Sequence, residues 1–116
     1  MGRHARIALS ISIIVAVAIV VGGLTPREFG QGPIRRDGPL LHGVAFALLV
    51  LPLTFVWSRR WVAILLSAIV FGGMIEGLQE IVGRAPEWSD LAANALGALL
   101  GTLAGLALSR RAARHP

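Results

Sequence analysis

Four apolar runs, each long enough to cross a bilayer, constrain this chain more than any other feature. They cover residues 7–24, 40–57, 61–78 and 91–108. At 1.5 Å per helical residue, such a run reaches about 27 Å, close to the hydrocarbon thickness of a membrane. Lipid offers backbone groups no water, so each run is read as a helix that satisfies its own hydrogen bonds. The fold class that follows is all-α: a membrane bundle of four transmembrane helices, one domain over residues 1–116. Composition agrees, at 55% hydrophobic with a mean hydropathy of +0.74, which is too apolar for a soluble domain.

The segments between the runs set topology. A basic lead with Arg3 and Arg6 precedes the first run. That order also opens a signal peptide, but Val21-Gly22-Gly23-Leu24 offers no Ala-x-Ala site, so an uncleaved first span is expected. Residues 25–39, rich in Gly and Pro, read as a loop. Pro52 interrupts the second run, which a membrane helix tolerates when a neighbour satisfies the freed carbonyl. Ser58-Arg59-Arg60 is so short that the second and third spans form an antiparallel hairpin, bracketed by the interfacial aromatics Trp57 and Trp61. A turn over 83–89 leads into the fourth span, and Arg110, Arg111 and Arg114 follow it.

All eleven basic residues are arginines, in small groups at the ends of the apolar runs. That placement marks topology rather than a phosphate-tracking patch, so nucleic acid is not expected as a partner. Seven arginines fall on one side and four on the other, which puts both termini in the cytoplasm. The abundance of Ala, Gly and Arg without Lys suggests a GC-rich bacterium, and hence the inner membrane. No cysteine is present, which excludes disulfides and thiolate chemistry.

Polar residues in so apolar a chain need an explanation, because each costs energy unless satisfied. They share one membrane level. His42 opens the second span from outside, Glu76, Gln79 and Glu80 end the third, and Asp90 and Asn94 open the fourth. Helical spacing puts Gly72, Gly73, Glu76, Gln79, Glu80 and Gly83 on one face, and Asp90, Asn94, Gly97, Gly101 and Gly105 on another. Gly97, Gly101 and Gly105 are helix-packing residues that let another backbone approach. If these two stripes face each other, an outward polar pocket sits above a glycine contact.

Each polar residue has a structural and a functional reading. Glu76 either holds helices in register or carries a proton. Glu80, a turn further out, is a solvated carboxylate or a ligand contact. Gln79 and Asn94 bridge helices or bind a polar head group. Asp90, with Ser89, either caps the fourth helix or joins the site. Arg84 pairs with a nearby acid or binds a phosphate. His42, Glu76 and Asp90 are the catalytic candidates, and Gln79, Glu80, Arg84 and Asn94 the ligand-binding ones. One His without a His-Glu-x-x-His arrangement is a poor zinc signature, so neither metal nor cofactor is expected.

Glu76-x-x-Gln79, Arg84, Asp90-x-x-x-Asn94-x-x-Gly97-x-x-x-Gly101, preceded by His42, resembles the VanZ-like membrane proteins over residues 37–104. The family often carries an Asp-Lys pair shortly before the His; here Asp37 stands without the Lys. The resemblance implies a link to glycopeptide (teicoplanin) susceptibility. Three functions stay open. One is an envelope protein whose outward pocket binds an envelope lipid or glycopeptide-like ligand. The second is an intramembrane acid/base enzyme acting on an envelope lipid or wall precursor. The third is a small proton- or solute-moving unit, which would need a homo-oligomer to enclose a path. The apolar inner halves of the second and fourth spans weigh against this last one.

Overall fold

The computed structural model describes residues 1–25, 38–83 and 88–114. Four helices account for nearly all of them: α1 (Arg3–Leu24), α2 (Gly38–Val56), α3 (Trp61–Ile81) and α4 (Trp88–Arg114), with a single 3-10 turn at Ser58–Arg60. Each is long and apolar enough to cross a membrane, and the described residues contain no strand. The chain is a multi-pass membrane protein.

Helix ends depart from the sequence reading in instructive ways. α2 begins at Gly38 and takes in Pro39, two residues assigned above to the loop. Proline in a first turn loses no intrahelical hydrogen bond, since that N–H has no partner there. α4 begins at Trp88, so Ser89 and Asp90 lie inside its first turn instead of preceding it as caps. The 27 residues of α4 span about 40 Å, more than the hydrocarbon core, and its last turns carry Arg110 to Arg114 beyond the apolar run.

Because the chain crosses back and forth, α2 and α4 run in the same direction. They also form the most extensive helix pair in the bundle. Their contact is a ladder of small residues in constant register. A Cβ on Gly97 would collide with the Gly43 carbonyl, one on Gly101 would lie 2.7 Å from the Ala47 Cα, and one on Gly105 would lie 2.8 Å from the Leu51 carbonyl oxygen. The condition that this stripe faces α3 holds only where Gly72 approaches Asn94; the glycines themselves do not meet α3. They meet α2, whose Gly43 and Ala47 repeat the four-residue spacing of small residues.

The remaining helices close around this pair. Phe46, Leu49 and Val50 of α2, Ala68 of α3 and Ala98 of α4 form the buried core. Phe46 and Phe71 meet with ring centroids 6.0 Å apart, where Gly72 leaves space beside the Phe46 ring. Ser12 of α1 donates a 2.8 Å hydrogen bond to the Leu49 carbonyl, in the turn of α2 that precedes Pro52. A buried hydroxyl thus reaches α2 beside the place where proline removes a donor.

Candidate functional site

The α2–α4 ladder turns polar at the end where both helices begin. Asp90 and Asn94 are four residues apart, so both project from one face of α4 toward His42 in the second turn of α2. The His42 Nδ1 lies 3.0 Å from the Asn94 Oδ1, and its Nε2 lies 3.8 Å from the Asp90 Oδ2. With the amide oxygen accepting, Nδ1 carries a proton and the ring orientation is fixed. Nε2 then faces the carboxylate across a gap too long for a hydrogen bond but short enough for an ion pair when the ring takes a second proton.

Asn94 serves two neighbours. Its oxygen faces His42, and its amide nitrogen lies 3.4 Å from where a Cβ on Gly72 would stand, so α3 approaches through that glycine. Asp90 is nine-tenths buried, and its Oδ1 has no hydrogen-bond donor among the described residues. That oxygen lies 3.8 Å from the Cβ position of Gly38, at the start of α2. The positive end of the α2 dipole favours a carboxylate there. Asp90 therefore meets the start of α2 from the first turn of α4.

Glu76 is buried on the α3 face that also carries Gly72 and Gln79. It lies one turn along α3 from Gly72, the glycine that abuts Asn94. Gln79 is directed elsewhere: its Nε2 donates a 3.0 Å hydrogen bond to the Gly23 carbonyl. α1 ends at Leu24, so that carbonyl belongs to the last turn of a helix, where carbonyls lack intrahelical partners. Glu80 and Gly73 are exposed, off the buried part of the α3 stripe. Arg84 lies outside the described residues, as does most of the first loop. Among the described residues, no three His, Asp or Glu side chains converge as metal ligands would.

Sequence reasoning missed the partner of Gln79, because the acceptor is a backbone carbonyl and no side chain announces it. It also missed α2 as the seat of the glycine ladder. Gly43 and Ala47 carried that signal, at the same spacing as Gly97 and Gly101.

Chemically, the cluster offers an acceptor-rich, partly open site. The His42 side chain is 19% exposed, while the Asp90 and Asn94 side chains lie behind it. It can accept hydrogen bonds from hydroxyl or ammonium groups, and it can move a proton at Nε2. Two apolar grooves lie elsewhere, one reaching Arg60 and the other Arg111.

Comparison with curated proteins and with solved structures finds no match. A comparison with protein families matches residues 7–109 to VanZ/LLP1, a stretch that includes the first span, which lay outside the resemblance over 37–104. The match runs through all four helices and every described residue of the polar cluster, and the chain belongs to the VanZ/LLP1 family.

Proposed function

We propose that this is a single four-span bundle in a bacterial inner membrane, with both termini cytoplasmic and the His42–Asp90–Asn94 cluster facing outward. The cluster binds the polar head of an envelope lipid, lipid-linked precursor or glycopeptide-like molecule, and through it changes susceptibility to glycopeptides such as teicoplanin. One observation carries this reading: the buried Asp90 Oδ1 has no donor among the described residues, beside a partly exposed imidazole. A buried carboxylate oxygen without a donor is costly, and a ligand hydroxyl or amine relieves that cost.

Lipid analysis of the purified protein tests the binding claim. Wild type should retain a hydroxyl- or amine-bearing envelope lipid that folded Asp90→Ala and His42→Ala variants lose. Identical lipid profiles in all three proteins would sink it. Orientation is tested separately with Thr25→Cys and Arg59→Cys variants and an impermeant maleimide on intact cells. Thr25→Cys should react and Arg59→Cys should not; the reverse pattern overturns the outward site.

A second reading rests on the fixed imidazole. With Nδ1 held by Asn94 and Nε2 turned to Asp90, His42 has the orientation of an acid/base group, and Glu76, one turn from Gly72 on α3, is a further buried carboxyl. Glu76→Gln separates the readings, since an amide keeps the shape and hydrogen-bonding capacity but cannot exchange a proton at neutral pH. Loss of glycopeptide tolerance in a well-folded Glu76→Gln that still retains the lipid favours the enzyme. A fully active variant removes Glu76 from acid/base chemistry.

A further inference from the structure

Charge is segregated along the bundle. The seven described arginines sit where α1 begins, at the Ser58–Arg60 turn and where α4 ends. The described acids, Glu76, Glu80 and Asp90, all sit at the opposite end. Among the described residues, none of those arginines forms a salt bridge.

One of them stands at a built groove. Between α1, α2 and α3 lies a cleft of about 360 Å³, lined by Ala16, Leu49, Leu53, Ile64 and Ser67 and bounded by Arg60 at one end. That volume falls within the range of ligand pockets. The groove exists because the residues facing it are small. Ala16, Ala63, Ser67 and Ala68 leave the space between helices that the short turn holds side by side. Phe71 marks its far end, about 15 Å along α3 from Trp61 at 1.5 Å per residue. The site thus has a cation at one end and about 15 Å of hydrocarbon wall leading away from it into the membrane.

We propose that this groove seats an acyl chain of an anionic phospholipid from the leaflet at the arginine end, with the lipid phosphate held by Arg60. Charge complementarity selects the occupant. A guanidinium recognises phosphate oxygens through paired N–H donors, and a juxtamembrane arginine attracts anionic lipid. The apolar walls ask for a chain attached to that phosphate, which a free phosphate lacks. This inference is independent of the outward site, which lies at the other end of the helices.

Native mass spectrometry of the full chain, equilibrated with equimolar phosphatidylglycerol and phosphatidylcholine of identical chains, tests the assignment. Wild type should retain phosphatidylglycerol preferentially. Arg60→Gln should lower that retention about fivefold, from about 1 kcal/mol per basic residue at an anionic surface. Arg59→Gln removes the same charge one residue away and should leave retention near wild type. Ser67→Leu, which fills the groove without touching charge, should also lower it; Ala63→Leu serves where that variant folds poorly. Glycerophosphoglycerol, the headgroup without chains, should not compete.

Equal retention of the two lipids by wild type overturns the proposal. So does an equal loss in Arg59→Gln and Arg60→Gln, which reduces the effect to general surface charge. Undiminished binding in the groove-filling variants, competition by the bare headgroup, or a dimer that excludes lipid does the same.

Discussion

Two neighbours of α2 differ in a way that chain connectivity does not anticipate. α3 follows α2 after a turn of three residues, yet a groove separates their faces near Arg60. α4 is separated from α2 by all of α3, yet its glycines approach the α2 backbone until no Cβ fits between. Within a membrane, apolar surface gains little by leaving lipid, so close packing and hydrogen bonds decide which helices touch. α4 offers glycines at every fourth position and α2 answers with Gly43 and Ala47. α3 presents Ala63 and Ser67 toward α2 with nothing shaped to fill the space. The short turn holds α2 and α3 side by side; it does not make them fit.

The largest expected effect comes from filling the tight contact. Gly101→Leu puts a side chain where a Cβ alone would lie 2.7 Å from the Ala47 Cα and from the Val50 Cγ2. Overpacking costs about 1–3 kcal/mol when side chains can shift, and backbone cannot, so a loss of about 3 kcal/mol or more is expected. Thermal unfolding in detergent measures it, with Leu99→Ala on the exposed side of α4 as the control. Equal tolerance of the two changes would mean that α2 and α4 do not pack through this ladder.

A smaller pair of changes sharpens the geometry. Gly97→Ala drives one methyl into the Gly43 carbonyl, whereas a Cβ on Gly43 meets nothing nearer than the Ala93 carbonyl oxygen at 3.5 Å, an ordinary contact. Gly97→Ala should destabilise by about 1–3 kcal/mol. Gly43→Ala should be neutral or slightly stabilising, since alanine is favoured over glycine in a helix by about 1 kcal/mol. Similar losses in both would show that the ladder lacks this one-sided fit.

The polar ties come next in size. Gln79→Leu removes the donor to the Gly23 carbonyl and should cost about 1 kcal/mol. A double-mutant cycle on His42→Ala and Asn94→Ala should give a coupling of about 0.6 kcal/mol, the usual scale for interhelical hydrogen bonds in membranes. Zero coupling would place His42 and Asn94 apart in the folded protein.

How far the sequence reached follows from these same residues. Four helices were readable because each apolar run lacks the arginines, prolines and glycines that crowd the joints, apart from Pro52 and scattered glycines. The shared level of His42, Asp90 and Asn94 was readable because depth in a membrane follows from position along a span. Helical spacing assigned Gly97 and Gly101 to one face of α4, but a periodicity describes its own helix and names no partner. It could not choose between α2 and α3. The groove beside Arg60 was hidden for a related reason: it results from small residues on three helices, and the gap appears only once the helices are assembled.

The smallest expected effect tests the loose side of the comparison with the same chemistry as the largest. Ala63→Leu adds to α3 the kind of side chain that Gly101→Leu adds to α4. Ala63 is exposed and borders the groove, so the new side chain has space to enter and no backbone to displace. Its unfolding midpoint should match wild type, within the ±0.5 kcal/mol or so typical of surface substitutions. Partial filling of the groove adds contacts that α2 and α3 otherwise lack, which favours a small gain over a small loss. Measured in detergent beside Gly101→Leu, the two leucines should differ by more than about 2 kcal/mol, given the cost of overpacking against backbone. A loss at Ala63 as large as that at Gly101 would mean that α2 and α3 close against each other as tightly as α2 and α4, with no groove between them.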